Sequence, residues 1–355
     1  MKLYIRSTGN ISPQKTFGQS VFLTEPVWYT GNRMSCIEQD YKGLIDAKLI
    51  RRMSRIIKMG VAAALSCLES AGSPNIDAII TGTAYGCLED TKKFLERMVE
   101  NNEDLLNPTA FIQSTHNTVG AQIALLLSCH HYNNTFVHRG FSFENALLDA
   151  QMLLAEDNEA TNILVGGIDE ITDVSHSILS RFGLYKDENI STAALFNSTT
   201  RGTIAGEGAS FFLLSKEKKD SDNVCLNGFA TMYKPLDFLA IENLIRKFLH
   251  SHSIDISEID VVITGKNGDY NSDEIYKQLE KDIFKNSLTV NYKHLCGEYP
   301  TATSFALWVA TNIIKTNSIP ACLSEKPIEN DKIKTVLIYN HYQNIHHSIY
   351  LLSVC

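Results

Sequence analysis

The chain has 355 residues, 44% of them hydrophobic and 20% charged, a mixture that supports a large buried core and excludes a disordered chain. Its formal net charge of -8 and the lack of any Lys/Arg cluster argue against a nucleic-acid partner. No apolar run is long enough to span a bilayer, and Met1 to Gly9 lacks a signal peptide's apolar block, so a cytosolic protein without a membrane span is expected.

In chain order, the start alternates like a strand, and Met53 to Gly72 has helical periodicity. Ile76-Asp77-Ala78-Ile79-Ile80-Thr81-Gly82 is a short β-branched run closed by glycine, as in a strand buried on both faces. An amphipathic stretch (Leu88 to Val99), a small-residue helix (Val119 to Leu127), a helix over Phe143 to Leu154 and a strand over Asn162 to Val165 follow. A further apolar strand covers Ser210 to Leu214, and the polar run Ser215 to Asn223 reads as an exposed connection.

Beyond it the order recurs. A helix over Ala240 to His250 precedes Ile259-Asp260-Val261-Val262-Ile263-Thr264-Gly265, which nearly repeats the earlier strand. Then come an amphipathic stretch (Asp273 to Phe284), a small-residue helix (Thr303 to Ile314) and a strand (Thr335 to Tyr339). The repeated order indicates duplication, with residues 1–220 and 221–355 as the two halves, each a mixed sheet covered by helices. A ligand site is expected between them, beyond the carboxyl ends of the strands.

The cysteines at 36, 67, 87, 129, 225, 296, 322 and 355 show no CxxC spacing, and nearly all are expected to be buried reduced thiols. Neither His130-His131 nor His346-His347 has a further ligand at metal-binding spacing. No metal and no cofactor is expected.

Two further motifs lie in the first half: Ala205-Gly206-Glu207-Gly208-Ala209 before an apolar strand, and a strand ending in a double glycine, Asn162 to Glu170. With the duplication, these motifs make the chain, from roughly Lys42 to its end, resemble the β-ketoacyl synthase family. The resemblance implies an α/β, thiolase-like fold with a duplicated five-layer α-β-α-β-α architecture and two mixed sheets.

It also implies where a catalytic Cys-His-His group belongs. The nucleophile turn matches Thr135 to Ser142 and puts Gly140 at the cysteine position, within one or two places, beside His138 and Arg139. The first histidine position, in the turn Gly265 to Asp273, holds Gly265. The second lies in Lys293-His294-Leu295-Cys296-Gly297-Glu298, where Lys293 and Gly297 are kept and Glu298 replaces the imidazole. Condensation needs a thiolate and two N–H donors for the enolate; one lost donor typically costs on the order of 100- to 1000-fold in rate. Gly140 and Gly265 offer neither, and an ionised Glu298 repels an enolate.

The resemblance further implies a chain-length-factor-type subunit, most like those of aryl-polyene or flexirubin-type pathways. Its partners are an active ketoacyl synthase or a second copy, and acyl carrier protein. Dimerisation is expected through Asn134, Thr135, Phe136 and Val137, with Ser114, Thr115, His116 and Asn117 either facing the dimer or capping helices. An acyl-transferring His138–Ser142 pair is a second reading, with Ser142 otherwise an amino-terminal cap, and a homodimeric acyl-chain or carrier-protein binder is a third.

Overall fold

The computed structural model describes residues 1–18, 22–104, 106–157, 159–324 and 333–355. Ten strands form one sheet: β1 (Leu3–Ile11), β2 (Ala78–Gly82), β3 (Tyr132–Phe136), β4 (Ile163–Asp169), β5 (Gly208–Ser215), β6 (Val224–Tyr233), β7 (Val261–Thr264), β8 (Leu288–Asn291), β9 (Thr335–Tyr342) and β10 (His346–Val354). Eight principal helices pack on it: α1 (Arg55–Ser70), α2 (Leu88–Glu100), α3 (Thr118–Leu127), α4 (Ser142–Glu156), α5 (Asp173–Arg181), α6 (Phe238–Ser251), α7 (Glu274–Asp282) and α8 (Thr303–Thr316).

The strand order is β8-β7-β9-β10-β6-β1-β5-β4-β2-β3. Each set of five is wired alike. The first, third and second strands after the leading one are mutually parallel neighbours, and the last and leading strands pair antiparallel beside them. The first set ends at Ser215 and the second begins at Val224. In place of two separate sheets, the sets meet edge to edge, where β1 and β6 pair at Leu3↔Leu226 and Tyr4↔Cys225.

Side chains alternate between faces with period two, and this builds the layers. Ile80, Ile163, Val165, Phe212, Val261, Ile263, Val336 and Ile338 point to one core shared by both sets, which also contains α4 and α8. Their neighbours Ile79, Leu164 and Phe211 face α1 and α3. Val262, Leu337 and Ile349 face α6 and α7. The result is five layers, with α4 and α8 in the middle.

Close approach sets one contact here. A Cβ added to Gly9 on β1 stands 2.0 Å from the Ala63 carbonyl oxygen and 2.8 Å from the Cys67 nitrogen of α1. Gly9 therefore lets α1 lie directly on the strand.

The cysteines differ in part from expectation. Cys225 and Cys355 form a disulfide, while Cys36, Cys67, Cys87, Cys129, Cys296 and Cys322 are free. Cys129 is half-buried just past the left-handed end of α3 at Ser128, as a structural thiol.

Gly9→Ala is expected to cost about 2–3 kcal/mol, because backbone of α1 must move to admit one methyl group. Urea denaturation measures it; an unchanged midpoint shows that α1 shifts freely.

Candidate functional site

The turn expected to hold the nucleophile follows β3. Arg139 takes a left-handed backbone (φ 48°) and is exposed, and a short 3-10 turn, Arg139–Phe141, leads into α4. Ser142 closes this turn from within: its Oγ accepts from the His138 N–H (2.8 Å) and donates to the Arg139 carbonyl (2.9 Å). The hydroxyl is thus a turn clasp, and Phe141 occupies the amino-terminal cap position expected for Ser142. The His138 ring bonds Asn145 through Nδ1 (2.9 Å) and meets Phe141 and His346 edge-on.

Gly140 is buried, and a Cβ built on it lies 2.8 Å from Tyr342 Cβ and 2.9 Å from His346 Cβ. The β9–β10 hairpin leaves no space for a side chain at Gly140. Gly265 is walled in likewise: its Cβ meets Asn340 Oδ1 at 2.1 Å and Tyr276 Oη at 2.6 Å. Those groups are committed, since Asn340 accepts from Tyr292 Oη (3.0 Å) and Tyr276 Oη accepts from the His341 N–H (2.9 Å).

Glu298 is not a free anion. Its Oε2 accepts from Lys293 Nζ (2.5 Å) and from Asn267 Nδ2 (2.7 Å), and Lys293 is fully buried. The Glu298 carboxylate is thus paired with the buried Lys293. Its backbone joins the glycine-rich motif: the Gly206 N–H donates to the Glu298 carbonyl (3.0 Å), and the Glu298 N–H to the Ile204 carbonyl (2.8 Å). A Cβ on Gly206 reaches 2.0 Å from the Cys296 carbonyl oxygen, so this crossing requires glycine.

Asp273 supports the turn that follows Gly265, accepting from the Asn267 and Gly268 N–H groups (2.8 Å each), and burial pushes its carboxyl up to about 6. Three groups not anticipated from the sequence complete the region. Asp169 accepts from Thr83 Oγ1 and the Ala84 N–H at the end of β2, and from the Thr301 N–H and Oγ1 before α8. Glu207 of the glycine-rich motif is fully buried in a two-pronged pair with Arg55. Glu170 accepts from the Glu89 N–H (3.1 Å).

Three voids lie in this region. One of about 170 Å³ is lined by Asn267, Asp269, Glu298, Tyr185 and Tyr342. One of about 20 Å³ lies against Asp169, Tyr85, Tyr185 and Tyr342. An open groove of about 840 Å³ is lined by His138, Arg139, Lys234, His346 and Tyr85. Tyr185 and Tyr342 divide the first from the second, and Tyr85 divides the second from the third.

The expected interface residues fall in two places. Asn134, Thr135 and Phe136 lie on β3, which is an edge of the sheet, and Val137 is exposed just beyond it. Ser114 and Thr115 cap the carboxyl end of the helix Pro108–Gln113, donating to the Phe111 and Ile112 carbonyls (2.7 and 3.2 Å). His116 lies against Gly86, and Asn117 begins α3 without a side-chain cap bond. Among the described residues no group of three potential ligands is placed to hold a metal, and no helix is long and apolar enough to cross a membrane.

Comparison with known proteins gives the family and the fold. Residues 30–207 match the model of the β-ketoacyl synthase N-terminal domain, and the chain belongs to the β-ketoacyl synthase family. Among solved structures, the ishigamide ketosynthase/chain length factor is 16% identical with a TM-score of 0.80, covering 100% of this chain and 99% of that one. A β-ketoacyl synthase from Burkholderia phymatum is 12% identical with the same score and coverage. A Xenorhabdus doucetiae ketosynthase in complex with its chain length factor is 16% identical with a TM-score of 0.76, covering 99% and 98%. At these identities the likeness is one of fold. No curated protein matches the chain.

Two outcomes follow from the buried charges. Lys293→Met is expected to cost about 3–5 kcal/mol by stranding Glu298, and Lys293→Met with Glu298→Leu to recover most of it. Denaturant titration of the cycle tests this; equal losses in single and double variants refute the pairing. Burial, with Asp90 and Glu207 nearby, pushes the Glu170 carboxyl from 4.5 up to about 7. The folded state then holds its proton more tightly than the unfolded one, so the stability Glu170 contributes is present below about 4.5 and lost as pH rises to about 7. Glu170→Gln is expected to flatten the melting temperature across that window, and a slope identical to wild type counts against it.

Proposed function

We propose that this chain is a catalytically silent subunit that pairs with an active ketoacyl synthase and biases the length of a polyene or polyketide chain carried on acyl carrier protein. The observation that carries the reading is Gly140, backbone without room for a Cβ at the start of α4. Covalent acyl transfer requires a nucleophile there, and electrostatic help for an enolate requires donors where Gly265 and the lysine-paired Glu298 stand.

The partner role draws on the surface. An edge strand such as β3 carries unpaired backbone groups and is a natural site for pairing with another chain. Exposed Tyr132 and Val137 flank it, and Leu125 of α3 and Leu148 and Met152 of α4 add apolar area on the neighbouring helices. Two of the solved structures with this fold are described as a ketosynthase with its chain length factor and as a type II polyketide acyl-carrier protein with its ketosynthase. An aryl-polyene or flexirubin-type pathway is the setting we assign. Against the second reading, Ser142 Oγ is engaged with two backbone groups and the His138 ring with Asn145, so neither activates the other.

The test is co-expression with a Cys-His-His synthase. Co-purification as a heterodimer is expected, weakened by Val137→Asp, and only separate homodimers would refute the partner role. Incubated alone with acyl and malonyl thioesters, the chain is expected to show no covalent adduct by intact mass. Gly140→Cys is expected to remain unacylated and to lose about 1–3 kcal/mol of stability from overpacking. A stable, acylated Gly140→Cys shows that the pocket is open and sinks the account.

A further inference from the structure

Cys225 lies at the seam of the sheet. It faces Tyr4 of β1 across one of the two residue pairs that join the half-sheets, and Ser353 of β10 on its other side. Cys355 follows β10, and its N–H donates to the Asn223 carbonyl (3.1 Å), which brings the segment past β10 back to the start of β6. The two Cα atoms are 5.5 Å apart, at the usual separation for a disulfide. The 130-residue span between them runs from within β6 to just past β10 and so takes in β7, β8, β9, β10, α6, α7 and α8.

We propose that the Cys225–Cys355 bond is a redox-controlled staple that ties the second five-stranded set into a closed loop anchored at the seam. Cys225 is fully buried and Cys355 only partly so, which directs exchange to Cys355. A reductant thiolate attacks Cys355 Sγ, and the Sγ–Sγ bond breaks with its electron pair going to Cys225 Sγ, which takes up a proton. A second reductant thiol resolves the mixed disulfide, releasing Cys355 as a thiol and the reductant as its own disulfide. Glutathione disulfide runs the same exchange in reverse. Oxidised, the staple restrains the unfolded ensemble over a long loop; reduced, Val354 and Cys355 are free to peel from β6.

The experiment uses the full chain equilibrated in glutathione buffers of graded poise. Peptide mapping after alkylation is expected to find the Cys225–Cys355 crosslink in oxidising buffer, with the other six cysteines alkylated. The oxidised chain is expected to melt on the order of 5–10 °C above the reduced one. Cys355→Ser, a change at a partly exposed position, is expected to melt like the reduced chain in both buffers. Absence of the crosslink in oxidised glutathione, or equal melting of oxidised wild type and Cys355→Ser, overturns the proposal. Neither outcome depends on catalytic silence or on the partner.

Discussion

The structure depends on a helix layer that has a half-sheet on either side. The half-sheets pair at Leu3↔Leu226 and Tyr4↔Cys225, and α4 and α8 give both sets a common core. A helix covered on all sides has no solvated face to carry polar residues, and α8 is buried at every position from Thr303 to Thr311. Ser304 and Thr311 turn their hydroxyls inward to backbone, Thr311 on the Leu307 carbonyl (2.8 Å). Where the layer must be fixed in direction, a buried carboxylate does it: Asp169 holds the end of β2 and the start of α8 with four hydrogen bonds. Burial pushes that carboxyl up to about 6, so the clamp works against its own desolvation and persists because every oxygen is engaged.

Much of this architecture was legible in the chain. The two β-branched runs ending in Gly82 and Gly265 became β2 and β7, because strands buried on both faces need continuous apolar sequence. The small-residue helices became α3 and α8. Other strands were hidden by composition. The edge strand β3, Tyr-Asn-Asn-Thr-Phe, is half solvated and reads as polar, while β10 begins with His346-His347 and β6 is broken by Asn227-Gly228. The sheet seam was illegible for a different reason: pairing between β1 and β6 has no local signature.

The site divided in the same way. That Gly140 and Gly265 carry no reactive group is visible in one residue letter each. That neither position has space for one is not, because the obstructing Tyr342, His346, Tyr276 and Asn340 arrive from distant elements. The neutralisation of Glu298 was within reach, since Lys293 lies five residues away and the short α-helical turn Lys293–Cys296 brings them together. The disulfide was beyond reach, because scattered cysteines fix no pairing.

The tyrosine partitions carry a steric consequence. Tyr342 stands against Gly140 on one side and lines two voids on the other, so any side chain added at Gly140 is opposed by packing. A single substitution at Gly140 meets Tyr342 and His346 before its side chain reaches either void. The position is thereby sterically latched: it admits a larger residue only once the β9–β10 hairpin is thinned.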